Sequence, residues 1–220
     1  MVAVAAYLLG SIPFGFIVAK AKGIDIRAVG SGNIGATNAM RVLGKPAGIA
    51  VLLLDAAKGF AACHWLAPIV FNALIPHFHG PNDFHYDWFE YEPIKFQTKF
   101  FLLAGVFAVL GHNYTCWLKF KGGKGIATTA GVYLALAPWA LLIALGVFIL
   151  ALLVTRYVSV ASMSGAVVLP VTVWVMTPHN LFLGFVTTAL GALAIYKHKA
   201  NLQRLKAGTE NRFGQKKETK

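Results

Sequence analysis

The sequence predicts an all-α protein that crosses a membrane about seven times, with its N-terminus outside and its C-terminus in the cytoplasm. Three observations support this prediction: the composition, a series of apolar runs of span length, and a one-sided distribution of basic residues. Of the 220 residues, 57% are apolar and 13% are charged, against roughly 25% charged in an average soluble domain. A soluble chain of this length could not bury so much apolar surface, whereas lipid can cover it.

The apolar runs define the predicted spans. A helix that crosses the bilayer needs about 20 predominantly apolar residues. Pro138 and the run Thr155-Arg156-Tyr157 break a stretch that is too long for one crossing, and residues 177–180 read Thr-Pro-His-Asn, a turn. The predicted spans are 2–19, 46–74, 100–118, 126–137, 139–154, 157–176 and 181–196.

The first apolar run is expected to stay in the protein as a span. A signal peptide carries basic residues before its apolar core, but no Lys or Arg precedes Lys20. The basic residues follow the run instead, as they do after a first span whose start lies outside. We therefore expect a retained helix here.

The basic residues give the orientation. Segments 20–46, 119–125, 155–156 and 197–220 hold most of the Lys and Arg, whereas the opposite side would hold only Lys95 and Lys99. Basic loops remain in the cytoplasm, which puts the N-terminus outside and predicts a multi-pass protein of the cell inner membrane. We expect one seven-helix domain over 1–206, with an outside insertion near 76–98 and a polar, basic tail over 207–220 that anionic lipid would attract.

The outside segment 76–98 is rich in His and aromatic residues. Some of its side chains could bind a metal: His77, His79, Asp83, His85 and Asp87. We favour an interfacial flap, since Trp and Tyr gather at headgroup depth and the segment faces away from the other motifs. The two cysteines, Cys63 and Cys116, suggest neither a zinc site nor a redox pair. We therefore predict no metal.

The first cytoplasmic loop has the composition of an anion site. Residues 30–38 read GSGNIGATN and are followed by Arg41. The spacing G-x-G-x-x-G alone is weak, because the strand that should precede it in a dinucleotide-binding unit is absent. Closely spaced glycines still let backbone N–H groups approach a phosphate, and arginine can bind one through two parallel bonds. The alternative is a tight interhelical turn with an arginine that sets the topology.

The second loop combines a histidine with three lysines. Gly111 and His112 precede the run KFKGGKG at 119–125, which does not satisfy the Walker A pattern. Lysines separated by glycines suit an oxyanion-rich ligand. An ionisable group near the membrane edge is costly and tends to be functional, although a hydrogen-bonded packing histidine is the alternative for His112.

Three further polar features are weaker. Residues 155–162 read TRYVSVAS, and His198, Asn201, Arg204 and Glu210 follow the last span, where a solvated amphipathic end is an equal alternative. Asp55 and Lys58 share one helix face because they lie three residues apart. We expect these two to form a buried ion pair rather than to act in catalysis.

Together the motifs resemble those of the bacterial acyl-phosphate:glycerol-3-phosphate acyltransferase family. Five segments carry the resemblance, in the family's order: GSIPFG at 10–15, GSGNIGATNAMRVLGKPAG at 30–48, GHNYTCWLKFKGGKGIAT at 111–128, TRYVSVAS at 155–162 and HKANLQRLKAGTE at 198–210. The resemblance implies seven transmembrane helices, the N-terminus outside, and transfer of an acyl group from acyl phosphate to the sn-1 hydroxyl of glycerol 3-phosphate. The products would be lysophosphatidic acid and phosphate.

The resemblance also implies the site residues. Ser31, His112, Lys121 and Asn201 are expected in catalysis. The residues expected to bind substrate are Gly32, Asn33, Thr37, Asn38, Arg41, Gly122, Lys124 and Ser159. No cofactor and no nucleic acid are expected; the partners are the two phosphate substrates and membrane lipid, which is compatible with a monomer.

Acyl phosphate is an activated mixed anhydride, so a glycerol hydroxyl can attack it without a covalent acyl-enzyme intermediate. Trp117 stands where an His-x4-Asp pair would need its Asp after His112, so the usual base and its orienting group are missing. We hypothesise that His112 positions a substrate phosphate or the hydroxyl of Ser31, and that a substrate phosphate oxygen takes the proton. Lys121, Lys124 and Arg41 would balance charge on the leaving phosphate.

Two other classes of protein remain open at this point. A transporter for a phosphorylated metabolite would also have spans and basic loops, but its polar site is expected near the midplane within inverted repeats, and no repeat is visible. A membrane scaffold would use the lysines only to bind anionic lipid. Product formation distinguishes an enzyme from both.

Overall fold

The computed structural model describes residues 1–74 and 92–214, and every regular element in these two ranges is helical. The chain divides into two compact units, Met1–Ala137 and Pro138–Lys220. The predicted all-α fold is therefore confirmed for the described residues. Most of the predicted insertion at 76–98 lies outside them, and its end, from residue 92, begins a helix.

The first unit is a bundle of apolar helices connected by the two glycine-rich loops. Its elements are α1 (Val2–Ser11), α2 (Phe14–Lys20), α3 (Ala36–Leu43), α4 (Lys45–Ala61), a π-helical turn (Ala62–Leu66), α5 (Ala67–Leu74), α6 (Glu92–Asn113), a short 3-10 turn (Cys116–Leu118) and α7 (Ile126–Leu136).

The first span, Val2–Lys20, is interrupted between α1 and α2. Ile12 has an extended backbone, with φ −59° and ψ 114°, because the ring of Pro13 disfavours the helical conformation of the residue before it. The break leaves the Ile12 carbonyl outside the helical ladder, and that carbonyl accepts a hydrogen bond from the buried Lys58. A proline inside an apolar run thus creates a polar contact within the bundle.

Small residues allow the helices of the first unit to approach closely. A Cβ added at Gly10 would meet the backbone of Ala108, so α1 and α6 are in backbone contact. A Cβ at Gly131 would likewise meet the carbonyl of Ala56, which joins α7 to α4. Close packing around small residues is the usual means of helix association in lipid, where no hydrophobic force drives helices together.

The described part of the second unit, residues 138–214, contains four helices: α8 (Pro138–Thr155), α9 (Val158–Met176), α10 (Leu181–Lys197) and α11 (Lys199–Lys206). Helix α9 contains Pro170, and α10 packs on it where Gly191 approaches the carbonyl of Ala166. The side chain of Asn180 caps α10 by accepting a hydrogen bond from the backbone N–H of Leu183 at 3.0 Å.

Most helix positions follow the predicted spans, but α6 runs from Glu92 to Asn113 where the prediction was 100–118. Within residues 1–74 and 92–214, five segments are long and apolar enough to cross a membrane: Val2–Lys20, Lys45–Leu74, Gln97–Leu118, Pro138–Thr155 and Val158–Met176. The pair α10 and α11, bent by 50°, makes a sixth if it is one span. The remaining prediction corresponds to α7, which has only 11 residues. The count of seven crossings and their direction stay predictions.

Candidate functional site

The first loop is organised around the side chain of Asn38. Its amide oxygen accepts a hydrogen bond from the backbone N–H of Ser31 at 2.8 Å. Its amide nitrogen donates to three loop carbonyls, those of Ile26 at 3.2 Å, Val29 at 3.1 Å and Asn33 at 2.9 Å. Asn38 is buried, so these bonds replace the water that a buried amide would otherwise need. The loop is therefore closed by a residue at the start of the helix that follows it.

The backbone of this loop requires glycine at two positions. Gly30 has a φ of +65° and Gly32 a φ of +70°, a left-handed conformation that residues with a Cβ rarely adopt. A Cβ at Gly30 would also meet the amide oxygen of Asn38. The sequence pattern G-x-G thus reflects the turns that bring the chain back onto Asn38.

The other predicted residues of the first loop lie around this centre. Asn33 accepts a hydrogen bond from the backbone N–H of Gly35 at 2.8 Å, just before α3 begins. Arg41 lies one helical turn after Asn38, and its guanidinium is 3.4 Å from the Asn38 amide oxygen. Ser31 and Thr37 are half-buried, whereas Arg41 is exposed. A cation and the N-terminal end of α3 thus lie beside the same loop, which favours a negative ligand.

The second loop folds back onto the end of α6. The backbone N–H of Gly122 donates to the carbonyl of Asn113 at 3.2 Å, and that of Gly123 donates to the carbonyl of His112 at 3.0 Å. A Cβ at Gly123 would collide with Nε2 of the His112 ring. The prediction that His112 and the lysine-rich run belong to one site element is consistent with this contact. Lys121 is exposed and Lys124 is half-buried.

The turn before these glycines exposes two aromatic side chains. Lys119 and Phe120 both have left-handed backbones, with φ of 54° and 60°, which is uncommon for residues with a side chain. Trp117 and Phe120 are exposed, whereas Leu118 between them is buried. The loop is thus anchored through one leucine while its aromatic and basic side chains point away from the unit.

That leucine connects the two loops. Leu118 belongs to a buried apolar cluster that also contains Ile26 and Ile34 of the first loop. The remaining buried members come from α2, α3 and α4: Ala19, Ala39 and Val51. The two glycine-rich loops therefore rest on one hydrophobic support, although they lie far apart in the sequence.

Beneath the second loop is a buried ionic cluster. Asp55 Oδ1 lies 2.9 Å from Lys58 Nζ and 3.4 Å from His112 Nδ1. Lys58 also donates to the carbonyl of Ile12 at 2.8 Å. The exposed fractions are 2% for Asp55, 3% for Lys58 and 5% for His112. The expected ion pair is present, and the structure adds His112 to it, which the sequence spacing did not indicate.

In the second unit, Ser159 and Asn201 converge on Glu210. The Ser159 hydroxyl donates to Glu210 Oε1 at 2.9 Å, the Asn201 amide donates to the same oxygen at 2.7 Å, and Arg204 Nε donates to Oε2 at 2.8 Å. Burial alone would raise the pKa of Glu210, but these bonds outweigh it and lower the pKa. The sequence placed Glu210 in a motif without assigning it a role; its 51-residue separation from Ser159 hid the contact.

The segment after Glu210 also pairs with the loop between α8 and α9. The backbone N–H of Phe213 donates to the carbonyl of Arg156 at 2.6 Å, and Arg212 donates to the Tyr157 hydroxyl at 3.1 Å. Arg156 has a φ of 60°. Part of the predicted polar tail is thus held against its own unit.

Across residues 1–74 and 92–214 there is no group of three or more His, Cys, Asp or Glu side chains that could hold a metal ion. The five outside residues considered for metal binding lie in the range that the structure does not describe.

Comparison with known proteins identifies the family. The family model described as "Glycerol-3-phosphate acyltransferase" matches residues 1–208. A glycerol-3-phosphate acyltransferase from Thermosynechococcus vestitus is 44% identical over 216 residues, which covers 97% of this chain and 94% of that protein. One from Geobacter sulfurreducens is 41% identical over 208 residues, with 94% of each chain covered.

Solved structures agree with the sequence matches. The glycerol 3-phosphate form of PlsY (YgiH), an integral membrane glycerol 3-phosphate acyltransferase, aligns with a TM-score of 0.79 at 38% identity, covering 97% of this chain and 94% of that one. Its lysophosphatidic acid form aligns with a TM-score of 0.76 at 37% identity, with the same coverage. This chain is an integral membrane acyltransferase of phospholipid synthesis and belongs to the glycerol-3-phosphate acyltransferase family.

Proposed function

We propose that this enzyme transfers a fatty acyl group from acyl phosphate to the sn-1 hydroxyl of glycerol 3-phosphate, at the cytoplasmic face of the inner membrane. Two observations support the acceptor and the product: the aligned PlsY structures are a glycerol 3-phosphate form and a lysophosphatidic acid form. The donor is proposed from the motifs that resemble the acyl-phosphate-dependent family.

The observation that carries the proposal is the shared support of the two loops. Both substrates are phosphates, so the site must hold two anionic groups close together while an acyl chain remains in lipid. Ile34 of the first loop and Leu118 of the second are buried in one cluster, and each loop carries exposed or half-buried cations. We propose that Arg41 and the first loop hold one phosphate, and that Lys121 and Lys124 hold the other.

The chemical step needs few protein groups. The sn-1 hydroxyl oxygen attacks the acyl carbonyl carbon, the bond from that carbon to the phosphate oxygen breaks, and inorganic phosphate leaves with the bonding electrons. The hydroxyl proton passes to a phosphate oxygen of a substrate. Cations aimed at the leaving group stabilise the charge that develops on it, and holding the two reactants in register supplies much of the remaining acceleration.

His112 is proposed to position the second loop rather than to take the hydroxyl proton. Its ring is buried between Asp55 and Gly123, a location suited to supporting backbone. Ser31 has its backbone N–H held by Asn38, which leaves its half-buried hydroxyl as a proposed contact for a substrate. Gly32, Asn33, Thr37 and Gly122 are proposed to shape the two phosphate pockets.

Asn201 and Ser159 are proposed site residues of the second unit. Both are fixed by the same carboxylate oxygen of Glu210, so a change at Glu210 should release both side chains together. Their direct contact with substrate is proposed from the motifs alone. The proposed topology has seven crossings and an outside N-terminus, which puts all the basic loops on the side of the cytoplasmic substrates.

The donor is tested with purified enzyme in defined detergent or liposomes. The protein is supplied with glycerol 3-phosphate and either acyl phosphate or acyl-CoA of the same chain length, and lysophosphatidic acid and the second product are measured. We expect lysophosphatidic acid and inorganic phosphate in equal amounts with acyl phosphate. Turnover with acyl-CoA and none with acyl phosphate would reject the proposed donor.

A further inference from the structure

The second loop rests on a side chain that is itself held by a charge from another helix. Asp55, in the middle of α4, lies with its Oδ1 atom 3.4 Å from Nδ1 of His112 at the end of α6. No His-x4-Asp motif is present, but an Asp–His contact is made between helices instead. The distance exceeds the 2.7–3.2 Å of a well-formed N–H···O bond, so the two groups are in close electrostatic contact.

The two ring nitrogens of His112 face different partners. A carboxylate can only accept hydrogen bonds, so a bond to Asp55 requires the proton on Nδ1. In the neutral ring, Nε2 is then an acceptor, and it lies against Gly123, where a single methyl group would collide with it. A hydrogen bond to Asp55 would thus select both the tautomer and the orientation of a ring that touches the glycine immediately before Lys124.

The carboxylate is itself fixed. Lys58 lies one turn along α4, with its ammonium 2.9 Å from the same Oδ1 atom of Asp55. That ammonium donates to the Ile12 carbonyl, which the break before Pro13 leaves outside the helical ladder, and it lies 5.6 Å from the centre of the Phe14 ring. The same carboxylate oxygen of Asp55 therefore contacts both Lys58 and His112.

We propose that Asp55 is a positioning residue for the reaction: acting through His112, it holds the backbone of Gly122 and Gly123 so that Lys124 faces the phosphate of the acyl donor. This inference rests on the proposed function of the second loop. A buried ion pair can contribute little net stability and still fix one arrangement of its neighbours, which is the role assigned to Asp55 and Lys58 here.

Two variants separate positioning from folding. Asp55→Asn keeps the shape and the acceptor but leaves the Lys58 charge buried without its carboxylate, which should lower the melting temperature. The double variant Asp55→Asn/Lys58→Met removes both charges and should recover much of that stability. If Asp55 positions the loop, kcat/KM for acyl phosphate stays reduced by about tenfold in both variants, because the charge that orients His112 is still missing.

A double-mutant cycle with His112→Ala is the decisive measurement. If Asp55 acts through His112, Asp55→Asn should cause no further loss of kcat/KM in the His112→Ala background. Losses that multiply, or a double charge-neutral variant with full kcat/KM, would overturn the proposal. Failure of both the single and the charge-neutral variant to fold would assign the pair to folding and would overturn it as well.

A second readout does not depend on turnover. Hydrogen exchange of the backbone amides in segment 119–125 should speed up by about tenfold in Asp55→Asn/Lys58→Met, because Gly122 and Gly123 lose their support. A wild-type protein that is inactive with acyl phosphate would reject the proposed donor while leaving this measurement intact. Unchanged exchange in that segment would overturn the role of Asp55 even if the enzyme proves active.

Discussion

The amide oxygen of Asn38 accepts a hydrogen bond from the backbone N–H of Ser31, seven residues earlier in the chain, at 2.8 Å. The nitrogen of the same amide donates to the carbonyls of Ile26 and Asn33, which lie before and after Ser31 in the chain. One buried side chain therefore sets the shape of the loop that we propose to hold a phosphate.

Replacement of Asn38 by Asp should disrupt the loop with almost no change in volume. The carboxylate cannot donate to the carbonyls of Ile26, Val29 and Asn33, and it is repelled by them. We expect kcat/KM for glycerol 3-phosphate to fall by about tenfold or more, because buried groups left without partners cost about 1–3 kcal/mol. Steady-state kinetics on purified protein measures this loss.

Asn180→Ala provides the matched control for Asn38. It removes the asparagine that caps α10, at a typical cost of about 0.5–2 kcal/mol in stability. We expect a lower melting temperature with nearly unchanged kcat/KM. Equal activity in Asn38→Asp and Asn180→Ala would show that the shape of the first loop does not matter for turnover.

Gly123→Ala should weaken binding of the substrate phosphate. The added methyl group would meet Nε2 of His112, so either the ring or the loop must move, and Lys124 is the next residue. We expect the KM for acyl phosphate to rise severalfold with a smaller change in kcat. This is the pattern seen when an interaction common to the ground and transition states is removed.

Gly146→Ala, in the middle of α8, is the control that tests whether a change from glycine to alanine is harmful in itself. A Cβ there has no atom within 4 Å, and alanine is favoured over glycine inside a helix by about 0.5–1 kcal/mol. Its kinetics should match those of the wild type. A normal KM in Gly123→Ala would contradict the proposed role of the His112 ring in positioning the second loop.

Glu210 should make the stability of the enzyme sensitive to acid. Its folded pKa is lowered by the hydrogen bonds from Asn201, Arg204 and Ser159, so its contribution is present above its ordinary pKa of about 4.3 and is lost as the pH falls through the folded pKa. The wild type should therefore melt higher than Glu210→Gln near neutral pH, and the two curves should converge as the solution is acidified below about pH 4. Thermal unfolding in detergent over this pH range measures the difference in melting temperature. A difference that does not depend on pH would show that the charge of Glu210 does not hold Ser159, Asn201 and Arg204 in place.

Hydropathy and charge predicted the spans because lipid imposes a simple rule: an apolar run of sufficient length becomes a helix. The boundaries of α8 and α9 accordingly fall within one or two residues of the predicted ones. The break at Ile12 and the π-helical turn at Ala62–Leu66 could not be located from hydropathy, since both lie inside predominantly apolar runs that read as single spans.

The sequence predicts the residue types of the candidate site but not the contacts among them. The spacing of Asp55 and Lys58 on one helix face predicted their ion pair, and the pair is present at 2.9 Å. Nothing in the local sequence indicated that His112 would join it, because the contact depends on how α4 and α6 pack. The role of Asn38 as the centre of the first loop was hidden for a similar reason: its partners are backbone groups, which leave no pattern of residue types.

The central claim is that the cations of the two loops hold the substrate phosphates, and the most direct test is kcat/KM in the acyl-phosphate-dependent reaction. Arg41→Ala and Lys124→Ala should each lower it by about tenfold or more, each tenfold corresponding to about 1.4 kcal/mol. Lys22→Ala removes one exposed positive charge from the same unit and should leave it nearly unchanged. Equal, small effects in all three variants would mean that the charges act only through the membrane surface, and the proposed phosphate sites would then be wrong.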